Sequence, residues 1–332
     1  MRALMGYLLC LLATGVAACS STSSTAGQPT ATTVLTAGSS VTTGAPTTAA
    51  AVAAAPDTSS PLTAAPTAAL PSTTAPPSTT ALPSTTALPS TTAPQAAAGT
   101  VRPAWLGTRP LPERPDGFGE VQPTPPELVD RRLPTVDLLP APQADAYTAD
   151  IAEVPPEVAA RSTWRDDCPV ALTDLRYLTM TFWGFDARPH TGEMIVHAEV
   201  AEDVVTVFGR LYEARFPIEE MRVVSMPELD APPYGDGNNT TAFSCRPATQ
   251  GTSWSQHALG LAVDVNPFHN PYQRGDLVLP ELASAYTDRS HLRPGMIGTG
   301  DAVTEAFASI GWGWGGTWQS LTDTMHFSRN GR

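Results

Sequence analysis

The chain has 332 residues, room for about two domains, but its composition does not spread evenly over that length. Residues 1–100 hold only two charged side chains, Arg2 and Asp57, so the formal net charge of −13 belongs to the remainder. Every basic residue is arginine, and an acidic chain without a basic patch excludes nucleic acid as a partner, because phosphate neutralisation supplies most such affinity.

Met1-Arg2 followed by the apolar run Leu4 to Val16 is too short to span a bilayer comfortably and reads as a secretory signal peptide over residues 1–18. Val16-Ala17-Ala18-Cys19 resembles the bacterial lipobox, which places lipidation at Cys19 and anchors the chain in the membrane. The alternative is an ordinary cleavage site with Cys19 incidental. Residues 19–100 are Ala, Thr, Ser and Pro in low complexity, with Pro-Ser-Thr-Thr-Ala recurring from Pro71, Pro77, Pro83 and Pro89. So little apolar bulk cannot offset the entropy of ordering, and the stretch is expected to be a disordered tether. It would reach roughly 50 Å as a coil and up to about 250 Å if polyproline-like. Residues 101–160 stay proline-rich but regain charge and bulk, and are expected to form a strap on the folded part with little regular structure.

The folded domain is expected at 161–332. Leu175 to Phe185 is rich in Tyr, Thr, Phe and Trp, as strands are, and Met194 to His197 makes a second, short strand. From Glu199 to Phe216, Val200, Val204, Val207, Phe208, Leu211 and Tyr212 recur at helical spacing. Acids open that segment and Arg210 and Arg215 close it, which suits the helix dipole. Met221 to Met226 reads as a strand, Asp230 to Thr241 as a polar loop, and Leu261 to Val265 as a strand. Asp301 to Ile310 reads as a short helix stopped by Gly311. A final strand lies around His326, preceded by Trp312, Trp314 and Trp318, which are expected to pack in the core. Strands mixed with segregated helices give an α+β class with a small mixed or antiparallel sheet. Cys168 and Cys245, if exported, are expected to form a disulfide, the alternative being two buried thiols.

The chemistry concentrates in Ser255-Gln256-His257-Ala258-Leu259-Gly260-Leu261-Ala262-Val263-Asp264 and in Asp323-Thr324-Met325-His326. Two imidazoles and two carboxylates suffice for three metal ligands, His257, Asp264 and His326, and one free acid, Asp323. Zinc accepts such nitrogen and oxygen donors in a tetrahedron whose fourth corner a catalytic site leaves open. On an ideal strand, residues three apart face opposite ways, so Asp323 must be separated from the strand of His326 by a turn. His269 is read as a loop histidine, the alternative being a cleft-lining one, and His190, His197 and His291 as structural.

The string Ser-x-His-x-x-Gly-x-Ala-x-Asp, with an acid three residues before a His-Phe pair, resembles the M15 zinc peptidases. That family includes the D-alanyl-D-alanine carboxypeptidases and dipeptidases of vancomycin resistance and the L-alanyl-D-glutamate endopeptidases of phage lysins. The likeness spans about residues 175–328 and is closest to a VanY-like core. Tyr177, Trp183-Gly184-Phe185, His190-Thr191-Gly192-Glu193 and the Asn-rich loop into Cys245-Arg246 fit the same group. The resemblance implies a hedgehog/DD-peptidase-like α+β fold, bound Zn²⁺ and hydrolysis of peptidoglycan stem peptides. It implies zinc ligation by His257, Asp264 and His326, and Asp323 as general base where the family often carries glutamate. It also implies Arg246 as an orienting or transition-state arginine and Ser255 as a support for substrate or ligand. The expectation is therefore an exported, lipid-anchored, monomeric zinc D,D-carboxypeptidase facing the cell wall. The alternatives are an L-alanyl-D-glutamate-type endopeptidase and a non-catalytic cell-wall-binding lipoprotein with the same fold.

Overall fold

A computed structural model describes residues 99–332. The expected signal peptide, Cys19 and the expected tether up to residue 98 lie outside the described residues. Among the described residues no helix is long and apolar enough to cross a membrane.

The largest sheet is built on β2 (Leu175–Gly184), whose alternation puts Leu178, Met180 and Phe182 on one buried face. It pairs antiparallel with β1 (Ala149–Glu153) on one side and β3 (Pro189–His197) on the other, and at its end with β4 (Pro217–Ile218) in parallel. The long helix α2 (Ala201–Glu213) lays Val204, Val207, Phe208 and Leu211 on that face, each almost fully buried. Each such side chain contributes about 1.5–3 kcal/mol relative to exposure. Glu202 and Asp203 in its first turn and Arg210 in its last match the dipole.

A second, three-stranded antiparallel sheet has the order β10 (Gly313–Trp314), β12 (His326–Ser328), β7 (Ala262–Asp264). Its Val263 and Phe327 join the same core as α2 and α4 (Ala302–Ala308), with Phe327 stacked on Phe307 at 4.0 Å. A third sheet, β11 (Thr322–Asp323), β8 (Tyr272–Arg274), β9 (Leu277–Leu279), lies under the loop before β12. Small, mainly antiparallel sheets with α2 and α4 packed into their shared core make this an α+β protein.

Several boundaries differ from the expectations above. The strand expected over Met221 to Met226 shrinks to β5 (Glu220–Met221), paired with β6 (Asn239–Thr240). Ser225 and Glu228 form a reciprocal capping box that starts helix α3 (Met226–Leu229), with Pro227 in its first turn. The polar loop Asp230 to Thr241 is shorter as well, because β6 at its end pairs with β5. The strand at Met194 runs back to Pro189, because its polar half pairs with β2 up to Trp183. Gly192 within it allows close packing: a Cβ there would sit 2.6 Å from Met221 Cε.

Residues 101–160 are more integrated than their proline content suggests. β1 and helix α1 (Pro156–Arg161) fall inside them, so the boundary at 161 cuts the end of a helix. Leu128 and Leu133 are fully buried against Phe268, Leu282 and Tyr286. Arg131 is buried too, donating Nε and Nη2 to the two Glu219 oxygens at 2.7 Å each and Nη1 to the Asp236 carbonyl at 2.8 Å. Its guanidinium lies 4.5 Å from the centre of the Phe268 ring. Cys168 and Cys245 are joined as a disulfide, closing a sequence separation of 77.

Candidate metal centre

His257 is set on a 3₁₀ turn, Gln256–Leu259, whose start is capped by Ser255: its Oγ accepts from the His257 N–H at 3.3 Å. Gly260 ends the turn with φ at 67°, where a Cβ would lie 2.5 Å from the His197 nitrogen. The chain reverses there into β7 and delivers Asp264 at its end. In the pairing of β7 with β12, Asp264 stands directly opposite His326. Three side chains from two segments 62 residues apart therefore meet by register alone.

The meeting is close. His257 Nε2 lies 3.1 Å from Asp264 Oδ2, His326 Nδ1 lies 3.0 Å from Asp264 Oδ1, and the two nitrogens are 3.2 Å apart. His257 Nδ1 faces the Ala242 carbonyl at 2.6 Å. A carbonyl only accepts, so Nδ1 carries the proton and Nε2 presents a lone pair to the carboxylate. Such donors facing one another are repulsive unless a cation lies between them. A tetrahedral zinc with ligands at about 2.0–2.2 Å has ligand–ligand edges of roughly 3.3–3.5 Å, close to the spacings here. The donor set thus fits a divalent metal, and the Nδ1–H bond is the outer support that metal-binding imidazoles need. Burial alone would raise the Asp264 carboxyl, yet the two imidazoles hold it well below the usual carboxylate range.

Asp323 ends β11 opposite Tyr272, and the turn Thr324-Met325 separates it from β12. That turn is the break the spacing demanded, and it lets Asp323 and His326 line one cleft. Asp323 Oδ1 is shielded from solvent without a hydrogen-bond partner, as is His326 Nε2. Burial pushes the Asp323 carboxyl up to about 7; Asp264 adds to the rise, while His326 and Arg246 oppose it. Gly315 packs beneath: a Cβ there would come within 2.5 Å of the Asp323 carbonyl oxygen.

The cleft measures about 350 Å³, within the range of small-molecule sites. Arg246 and Ser255 line it together with the four residues above. Arg246 donates Nη1 to the Pro247 carbonyl at 3.2 Å and has no carboxylate ion pair. The rings of Trp254, Tyr272 and Trp318 also line the cleft, and no motif singles out Trp254 or Tyr272. Trp318, expected in the core, has its ring 5.4 Å from His326 and donates Nε1 to the Gly331 carbonyl. Trp312 is the buried member of that cluster, 5.8 Å from Phe307. Trp254 is directly next to Ser255 and 40% exposed, a signal that an aromatic beside the motif could have given.

The remaining histidines go elsewhere. His269 sits in a turn, as expected of a loop histidine, and is fully buried: its Nδ1 accepts from Asn238 Nδ2 at 3.1 Å, its Nε2 donates to the Arg131 carbonyl at 2.9 Å, and its ring stacks 4.9 Å from Phe185. Burial lowers it to about 4. His190 is structural but not partnerless, bridging Asp137 at 2.7 Å and Asp186 at 2.9 Å.

An α+β protein with two imidazoles and a carboxylate converging in a cleft, beside an unpaired acid, has the frame of a metallohydrolase. Residues 248–329 match the family model described as D-alanyl-D-alanine carboxypeptidase, and this segment, which is similar to the M15 peptidases, contains all four of those residues. No curated protein and no solved structure matches the chain.

Proposed function

We propose that this chain is an exported zinc peptidase that hydrolyses peptidoglycan stem peptides as a D,D-carboxypeptidase. The observation that carries the proposal is the convergence of His257, Asp264 and His326 on one point, with the unpaired Asp323 carboxylate on the same cleft. The family description supports the D-alanyl-D-alanine bond over the L-alanyl-D-glutamate alternative. An unpaired buried acid costs stability, so its presence supports catalysis over a binding-only role.

His257 Nε2, Asp264 and His326 Nδ1 would hold the metal. When bound, zinc supplies Lewis acidity that polarises a carbonyl and acidifies water. Asp323 handles the protons: its Oδ1 takes one from the attacking water and returns it to the leaving amine. Arg246 presents a planar guanidinium that grips the substrate's terminal carboxylate in the bidentate manner. Ser255 acts through the turn that orients His257, and Tyr272 and Trp318 shield the cleft from water.

The Cys168–Cys245 disulfide supports an oxidising compartment outside the cytosol. With the leader and Cys19, it fits a monomer anchored by lipid and working on the wall at the end of its tether. Digestion of purified muropeptides with the full chain, read by mass spectrometry, tests the reaction. Loss of the terminal D-alanine is expected, and an Asp323→Ala variant should lose turnover by at least about a hundredfold. Equal turnover in both proteins would remove Asp323 from the mechanism, and unchanged muropeptides would reject the peptidase reading.

A further inference from the structure

Behind the metal ligands the cleft does not end. A second space of about 630 Å³ adjoins the first, and the two share Arg246 and Asp264 in their walls. One wall of this larger compartment comes from the strap, through Arg102, Leu106 and Gly107. Those residues lie outside the segment that matches the peptidase family.

The charges in that compartment are mostly committed to one another. Arg222 binds Glu220 at 2.9 Å and Glu228 at 2.6 Å. Asp236 accepts from the Gly107 N–H at 2.8 Å, and Glu281 from the Gly119 N–H at 2.7 Å. Arg131 and Asn238 occupy the Glu219 carboxylate. Arg102 is different. Its single ion-pair partner is Glu219 at 3.6 Å, beyond hydrogen-bond reach, and its side chain is 37% exposed. A guanidinium carries donors in a fixed fork matched to a carboxylate, and among the described residues none of the Arg102 side-chain donors makes a hydrogen bond.

We propose that the strap-walled compartment is a second substrate subsite, in which Arg102 binds a carboxylate on the part of the peptide remote from the scissile bond. This rests on the peptidase reading and deepens it: the preferred substrate is an acidic peptide rather than a bare terminal dipeptide. An extended peptide advances about 3.3–3.6 Å per residue, and the shared walls at Arg246 and Asp264 let its residues beyond the cleaved bond continue toward the larger space. The strap then has a recognition role as well as a packing one.

The test is binding of two synthetic pentapeptides ending in D-alanyl-D-alanine to the full chain, followed by calorimetry. One carries the free carboxylate of its D-glutamate and the other has it amidated. Amidation should weaken binding to the wild type by about tenfold, as expected for loss of a charge-assisted pair. Arg102→Gln should weaken the acidic peptide by the same factor and leave the amidated one unchanged, with Arg102→Lys in between. Turnover of the free D-alanyl-D-alanine dipeptide should be the same in the wild type and in R102Q. Equal losses for both peptides, no loss for either, or no binding of the acidic peptide by the wild type would overturn the subsite. Lack of hydrolysis would count against the peptidase reading alone, since binding is read separately.

Discussion

Asp323 is the residue on which the proposed chemistry turns, and its titration gives it a signature apart from turnover. A carboxyl whose folded pKa lies near 7, above the ordinary 3.8, adds stability only while protonated. That contribution is complete below pH 3.8 and is lost as the pH rises through 7. In metal-free protein, Asp323→Asn should therefore melt a few degrees above the wild type at pH 8. The gap should narrow as pH falls through 7 and close in acid; thermal scans across pH would show it, and a destabilised variant at pH 8 would contradict the assigned burial. The group that could hold a metal was legible in the sequence because a short motif fixes it locally. His257 and Asp264 are joined by one turn, and His326 needs only its register opposite Asp264. Trp318 and Tyr272 were not legible, because no local rule separates an aromatic that walls a cleft from one that fills a core. Nor was the bridging of His190, whose partner Asp137 lies 53 residues away.

At the scale of elements, two glycines hold the site in shape. Gly260 adopts the left-handed conformation against the backbone of His197, so Gly260→Ala adds about 1–2 kcal/mol of conformational strain before any clash is counted. Chemical denaturation should show at least that loss, together with weakened metal binding. Gly315 supports Asp323 directly. Gly315→Ala should displace the carboxylate and lower turnover by roughly tenfold to a hundredfold while metal affinity changes little. Loss of metal and activity together would mean that the turn positions the ligands instead. Helices α2 and α4 were readable from periodicity and from Gly311, and β2 from its β-branched and aromatic run. The errors have physical sources: Ser225 and Glu228 form a capping box that outweighs the strand propensity of Arg222-Val223-Val224. In β3, pairing along the whole of β2 supports a half whose own sequence, with Gly192 and Glu193, reads as loop.

For the whole molecule, the strap decides what counts as the folding unit. Arg131 carries a buried charge from the strap onto Glu219, and breaking such a pair from one side costs about 3–5 kcal/mol. Arg131→Met should lower the unfolding free energy by that amount in urea titration, while the reverse pairing Arg131→Met with Glu219→Leu should recover most of it. A chain beginning at residue 161 would lack Leu128, Arg131 and Leu133 and should fail to show a cooperative transition. Composition hid this, since prolines and charges describe the surface of the strap and say nothing of the buried side chains spaced along it, Leu128, Arg131 and Leu133 among them. The disulfide closes 77 residues and adds on the order of 4 kcal/mol in the chain-entropy account.

The most direct measurement is zinc stoichiometry of the metal-stripped full chain by calorimetric titration at pH 7, comparing the wild type with His257→Ala, His326→Ala and Asp323→Ala. One zinc per chain is expected for the wild type and for Asp323→Ala, with binding weakened by at least about a hundredfold when either histidine is removed. Unaltered affinity in both histidine variants, or no binding by the wild type, would contradict the metal centre on which the account depends.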